Sequence, residues 1–145
     1  MTALVLDAEP LSLLARAGRG EASVRAALTA AVEARAEVLV PAAVLAELYR
    51  GGGHDQAVDA CLARQGGIDV VPTDERLARA VGHLLAGAGA GSEHHVDATV
   101  VATCGAAGGG LVLTGDVDDL AALAAQTPSI EVRAVAHRRP GRAGR

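Results

Sequence analysis

Leu4-Val-Leu-Asp-Ala-Glu9, a short aliphatic run that ends in an acid, is the stretch that decides the fold. The apolar residues begin at Ala3, and a run of this length and composition is typical of a buried strand in a parallel sheet. A carboxylate beside buried aliphatic surface is costly to place unless it has a partner or a function. Asp7 is therefore a candidate site residue. A second run of the same kind, LVLTGD, ends at Asp116.

Strand-like and helix-like runs alternate outward from this stretch along the whole chain. The predicted strands are residues 3–6, 38–40, 68–71, 111–113 and 130–135. The predicted helices are one that begins near Pro10 and others over residues 21–36, 42–50, 55–64, 73–85, 93–107 and 117–125, with Thr73 as an N-cap and residues 87–91 as a loop. This alternation predicts an α/β fold with a parallel sheet and helices on both faces.

The composition limits the core and the kinds of ligand. The chain has 145 residues, half of them hydrophobic, yet it contains no Phe or Trp and a single Tyr. We expect one domain with a core of Ala, Val and Leu. The near absence of aromatic residues argues against the stacking surfaces with which many proteins bind single strands. A nucleic-acid substrate would have to be held through its backbone.

Charge is distributed unevenly along the chain. The formal net charge is −4, but residues 137–145 contain four arginines and no acid. We therefore divide the chain into a domain over residues 1–136 and a basic tail, expected to be flexible, over residues 137–145; contact of the tail with RNA or a partner stays open. Cys61 and Cys104 are isolated, and no leader or membrane span is apparent, so a cytoplasmic location is expected.

Four acids lie beside apolar runs in distant parts of the sequence: Asp7, Glu47, Asp97 and Asp116. Two follow predicted strands and two lie on predicted helices, and sites in such folds form at the carboxyl ends of the strands. Carboxylates gathered there would hold a divalent cation. The alternatives are that Asp7 and Asp116 cap helices, with Asp119 completing a capping box, and that the helical acids lie at amphipathic edges.

Two neighbours of these acids are weaker candidates. His94 lies one helical turn before Asp97 and is either a ligand or an exposed residue at a helix start. Arg50 lies three residues after Glu47, where it steadies that carboxylate, binds phosphate or forms a surface ion pair.

The order and contexts of these residues resemble PIN-domain ribonucleases, specifically the VapC toxins of bacterial type II toxin–antitoxin modules. The motifs are Asp7 after the first strand, Glu47 in AELYRG, Asp97 opening DATVVA, and Thr114 with Asp116 in TGDVDDL. The resemblance covers nearly the whole chain. One departure is Glu9, where such proteins often have a small polar residue.

The resemblance implies a three-layer α/β/α sandwich with a mostly parallel sheet and a metal-dependent endoribonuclease that uses Mg²⁺ or Mn²⁺. Asp7 and Asp97 would be direct ligands, and Asp116 and Glu47 would complete the site. Thr114 would orient Asp116 by its hydroxyl. Supporting roles fall to three residues: Thr114, Asp119 and Arg50. The bound cation would activate the attacking water.

The implied partners are an RNA substrate, a cognate antitoxin and a second copy of the chain in a homodimer, with no membrane. The antitoxin is expected to deliver an Arg or Lys to the acidic pocket. Two alternatives remain: a non-catalytic PIN-like module that binds RNA or a partner, and a phosphoacceptor receiver domain. A receiver needs a Lys in its pocket, and all thirteen basic residues of this chain are Arg.

Overall fold

The computed structural model describes residues 1–17 and 21–136, which form a five-stranded sheet with seven α-helices. The strands are β1 (Ala3–Leu6), β2 (Glu37–Pro41), β3 (Ile68–Val71), β4 (Gly110–Thr114) and β5 (Ile130–Ala134). The helices are α1 (Ala8–Arg16), α2 (Glu21–Glu33), α3 (Ala42–Leu48), α4 (Gly52–Arg64), α5 (Glu75–Ala88), α6 (His95–Ala106) and α7 (Val117–Ala124). The basic tail predicted for residues 137–145 lies outside the described residues.

All neighbouring strands are parallel, in the order β3-β2-β1-β4-β5. The chain leaves β1 towards β2 and β3, but it leaves β4 towards β5 in the opposite direction. The connections therefore diverge where β1 and β4 pair, and a crevice opens at their carboxyl ends. Asp7 follows β1 at this place, and its backbone N–H donates to the Leu113 carbonyl over 3.0 Å.

Helices cover the sheet on both faces, as the right-handed rule for parallel crossovers requires. On one face α1 and α2 pack against β1 and its neighbours; on the other, α6 and α7 pack against the sheet, with α5 resting on both helices. Residues 98–104 of α6 are all buried, so this helix is central to the core. The core is aliphatic, as predicted, and the predicted α/β sandwich is confirmed.

Several predicted helix ends were wrong by a turn or less: α2 ends at Glu33 and not at residue 36, α3 at Leu48 and not at residue 50, and α4 begins at Gly52 and not at residue 55. Helix α5 continues through Gly87 to Ala88 and ends at Gly89, whose φ of 62° is left-handed. The side chain of Asp74, and not of Thr73, caps α5 by accepting the Leu77 N–H. The residues before α6, Ser92–His94, form a short 3-10 turn in place of its first α-helical turn. Among the described residues, no helix is both long and apolar enough to cross a membrane.

Candidate active site and metal centre

Asp7 is held rigidly at the crevice between β1 and β4. It is 9% exposed, and its Oδ2 accepts a hydrogen bond of 2.7 Å from the fully buried Thr114 hydroxyl. Its Oδ1 accepts no hydrogen bond from a described residue, yet no buried side-chain polar atom of the described residues lacks a partner. Oδ1 is therefore accessible from outside the core.

Thr114 links the two strand-end acids. The same hydroxyl that donates to Asp7 accepts the backbone N–H of Asp116 over 3.0 Å. The sequence predicted that Thr114 orients Asp116 by its hydroxyl; the hydroxyl contacts the backbone of Asp116 and the carboxylate of Asp7. One buried side chain thus holds Asp7, which follows β1, next to Asp116, which follows β4.

Neither strand-end acid acts as a helix cap through its side chain. Asp7 occupies the N-cap position of α1 and Asp116 that of α7, but neither carboxylate accepts a capping hydrogen bond. Asp74 shows what a true cap looks like in this protein, with Oδ1 at 2.8 Å from the Leu77 nitrogen. The capping alternative for Asp7 and Asp116 is therefore not what the structure contains.

The two helical acids face the same crevice. Asp97 lies in the first turn of α6, half-buried. Its pKa is raised above the ordinary value by desolvation first and then by repulsion from Asp7, Asp116 and Asp119, while His94 lowers it. Asp97 thus lies close enough to Asp7, Asp116 and Asp119 for their charges to raise its pKa.

Glu47, near the end of α3, is exposed at the mouth of the crevice. Its pKa is raised, chiefly by desolvation and then by repulsion from Asp7 and Asp97, and Arg50 lowers it. The charge of Asp7 therefore repels both Glu47 and Asp97. Arg50 steadies the end of α3, since its Nη1 donates to the Ala46 carbonyl over 2.8 Å.

The four acids, Asp7, Glu47, Asp97 and Asp116, have no arginine at ion-pair distance in the part of the chain that the structure describes. Uncompensated carboxylates at close quarters disfavour one another's ionised form. Carboxylate oxygens are the ligands that Mg²⁺ and Mn²⁺ prefer, and a bound cation would offset the repulsion between these acids.

A further donor group lies at the α6 and α7 side of the crevice. His94, Asp97 and Asp119 each present one ligand atom, all within 4.8 Å of one another. The sequence left His94 open between a ligand and an exposed residue, and the structure places it half-buried beside Asp97. The one-turn spacing of His94 and Asp97 was the available signal. Asp119 was predicted only as a supporting residue, and its place beside His94 and Asp97 was not expected.

Glu9, the departure from the usual motif, also reaches the crevice. An added Cβ on Gly115 would collide with the Glu9 carboxylate, so that carboxylate lies directly over the loop between Thr114 and Asp116. A side chain larger than hydrogen at Gly115 would displace it.

Comparisons with known proteins agree with this architecture. A structure of VapBC2 from Rickettsia felis bound to a DNA fragment from its promoter contains a chain of similar fold, with a TM-score of 0.62 and 12% identity, covering 91% of this chain and 98% of that one. No curated protein sequence matches the chain. The PIN domain model matches residues 4–126, from β1 to the residues after α7. On this match over most of its length, the chain belongs to the PIN domain family.

Proposed function

We propose that the protein is a metal-dependent endoribonuclease that acts as the toxin of a toxin–antitoxin pair. The observation that carries the proposal is the repulsion that links Asp7, Glu47, Asp97 and Asp116, none of which has an arginine within ion-pair distance among residues 1–17 and 21–136. Membership of the PIN family and the fold shared with a VapBC2 chain support it.

The proposed role of each acid in metal binding follows from how buried it is. Asp7, locked by the Thr114 hydroxyl, and Asp97, in the first turn of α6, are the proposed direct ligands. Asp116 and Glu47 complete the set from more exposed positions. When bound, Mg²⁺ or Mn²⁺ would supply charge stabilisation at the scissile phosphate and lower the pKa of a water molecule. Thr114 keeps the ligands pre-organised, which limits the reorganisation that binding would cost.

The substrate would be held chiefly through its phosphates. The one aromatic side chain, Tyr49, is tied to Asp59 by a 2.6 Å hydrogen bond, so the described surface offers no stack of aromatic rings to unpaired bases. Phosphate contacts fix the position of a nucleic acid and carry no sequence information directly. Any sequence preference would then depend on the shape of the RNA around the crevice.

An antitoxin partner is proposed on the same grounds. The neighbour of similar fold is one chain of a VapBC2 complex bound to promoter DNA. The partner of this chain would place an Arg or Lys against the acidic crevice and so take the position of the cation. If the double variant Asp7→Asn, Asp97→Asn binds the antitoxin as tightly as wild type at matched salt, inhibition acts elsewhere.

We also propose that the protein forms a homodimer. Light scattering that shows only monomer at tens of micromolar would refute this proposal.

The function is tested by RNA cleavage with purified wild type and Asp7→Asn. We expect Mg²⁺- or Mn²⁺-dependent cleavage that chelation stops and that Asp7→Asn reduces by about 100-fold or more, since even residues that only support a metal ligand cost 10–100-fold. Asp69→Asn, on the exposed edge strand β3, is the matched control and should retain full activity. Equal cleavage by Asp7→Asn and wild type would refute the proposed mechanism. Metal binding without cleavage of any RNA would favour a non-catalytic module.

A further inference from the structure

The imidazole of His94 sets the metal centre apart from a purely carboxylate one. His94 ends the 3-10 turn before α6, and its Nδ1 lies 3.8 Å from Oδ2 of Asp97. Asp119, in the first turn of α7, brings a carboxylate to the same place, and the three ligand atoms lie within 4.8 Å of one another. Three side chains, from the 3-10 turn, α6 and α7, thus present one nitrogen and two oxygen donors to a common point.

These separations fit a single ion after a small adjustment. Donors at about 2.1 Å from one octahedral ion lie roughly 3 Å apart when adjacent and about 4.2 Å apart when opposite. The 3.8 Å between His94 and Asp97 falls inside that range, and the upper limit of 4.8 Å on all three separations exceeds it by only a few tenths of an ångström. Side-chain rotation of the exposed Asp119 can supply that closure without moving the backbone.

The other nitrogen of His94 is also accounted for. Its Nε2 lies 3.9 Å from Oε1 of Glu93. Metal-ligating histidines usually direct their second ring nitrogen towards a carboxylate or carbonyl, which fixes the ring orientation and the tautomer. Gly91 makes room for this arrangement, because a Cβ there would collide with the Glu93 carboxylate. One ring nitrogen thus faces Glu93 and the other faces Asp97, each at ion-pair distance and not at hydrogen-bond distance.

We propose that His94, with Asp97 and Asp119, is a ligand of the metal centre and makes it select Mn²⁺ over Mg²⁺. The inference rests on the proposed function, because it adds a nitrogen donor to the carboxylates of the same crevice. Mg²⁺ prefers oxygen ligands and gives up its water reluctantly, whereas imidazole suits the transition metals. A nitrogen donor at this position consequently stabilises Mn²⁺ more than Mg²⁺.

The test measures metal binding directly, with MnCl₂ and MgCl₂ as the probes. Titration calorimetry of the full chain should show that His94→Ala weakens Mn²⁺ binding by about tenfold or more, while Mg²⁺ binding stays within about threefold. His94→Gln, which retains an oxygen donor, should behave in the same way. The matched control is His95→Ala, because the His95 side chain is exposed and makes no hydrogen bond or ion pair with a described residue, while its backbone carbonyl, which the change retains, accepts the Thr99 hydroxyl over 2.8 Å. Thermal melts without metal confirm that each variant is folded.

A spectroscopic readout separates this inference from the proposed function. Pulsed electron paramagnetic resonance of bound Mn²⁺ should show coupling to a ¹⁴N nucleus that both His94 variants lose and His95→Ala keeps. Cleavage of RNA with Mn²⁺ bound but no nitrogen coupling would overturn the role of His94 and leave the nuclease intact. Nitrogen coupling without RNA cleavage would keep the site and refute the nuclease. An equal loss of Mn²⁺ affinity in His95→Ala would also overturn the inference.

Discussion

The corner between α3 and α4 and the crevice between β1 and β4 place acids in opposite ways. At the corner, Asp55 accepts the backbone N–H groups of Arg50 and Gly51 over 3.0 and 2.9 Å, and Asp59 accepts the Tyr49 hydroxyl over 2.6 Å. These carboxylates are satisfied by fixed donors of the fold. Such acids stabilise the structure, and they need no bound cation to compensate their charge.

At the crevice, the acids are satisfied far less by the fold itself. Among the described residues, Asp7 accepts one hydrogen bond, from Thr114, and the one group of opposite charge at ion-pair distance from Asp97 is His94, at 3.8 Å. The raised pKa values of Asp97 and Glu47 show that the crevice disfavours negative charge. The contrast teaches that the environment of a carboxylate separates a structural acid from a binding one, although the residue types are the same.

The largest contrast is expected in catalysis. Asp97→Asn should lower metal-dependent RNA cleavage by about 100-fold or more, because it removes a proposed ligand and not merely a support of one. Asp59→Asn at the corner should leave cleavage unchanged. Initial rates on a fluorogenic RNA, with melting curves as the control for folding, decide the matter. A similar loss from both variants would mean that the two regions do not differ as described.

A smaller loss is expected at the residue that joins the strand-end acids. Thr114→Val keeps the shape of the side chain but removes the hydroxyl that donates to Asp7 and accepts from Asp116. Activity should fall by about 10–100-fold, the range for residues that orient a metal ligand. Thr114→Ser should restore most of it. If the serine variant is as inactive as the valine variant, the methyl packing of Thr114 matters and its hydrogen bonds do not.

The corner should respond in stability and not in metal binding. Asp55→Ala removes the acceptor of two backbone N–H groups at the start of α4 and should lower the free energy of unfolding by about 1 kcal/mol, as for other lost helix caps. Urea denaturation measures this change. Calorimetry with MnCl₂ should give wild-type affinity, and a weaker affinity would show that the corner and the crevice are coupled.

The smallest effect concerns pH. The pKa of Glu47 is higher in the folded chain than in the unfolded one, so the ionised carboxylate opposes folding. Stability should therefore fall as pH rises from its unfolded pKa through its raised folded pKa. Glu47→Gln should raise the melting temperature of the metal-free protein at pH 7 and flatten this part of the pH profile. Saturating Mg²⁺ should cancel the advantage, whereas a lower melting temperature in Glu47→Gln would assign the residue a structural role.

The fold was readable from the sequence because its strands are short aliphatic runs with clear ends. Asp7 follows Leu6 and Thr114 ends the run from Leu111, so both strand ends are marked by a change of polarity. Helix ends were harder, since the choice between Thr73 and Asp74 as a cap depends on a backbone turn that both residues favour.

The four acids proposed for the site could be selected from the sequence because each lies beside apolar residues. Their shared electrostatics was expected, but the second bond of the Thr114 hydroxyl was not. The meeting of His94 with Asp119 depends on how α6 and α7 pack, and the position of Glu9 over Gly115 depends on how β1 and β4 pair. Contacts of this kind arise from tertiary packing and leave no local pattern.

Tyr49 determines the near-ultraviolet absorption of the protein. As the single aromatic residue of a chain without Trp or Phe, it supplies essentially all of the near-ultraviolet absorption of the side chains. Its hydrogen bond to Asp59 raises the pKa of the phenol to about 12. An unfolded chain would ionise at about pH 10. Between these two values the folded protein carries a phenol and the unfolded protein a phenolate, so one absorption band reports folding at a single known corner, beside the acids of the crevice and without any label.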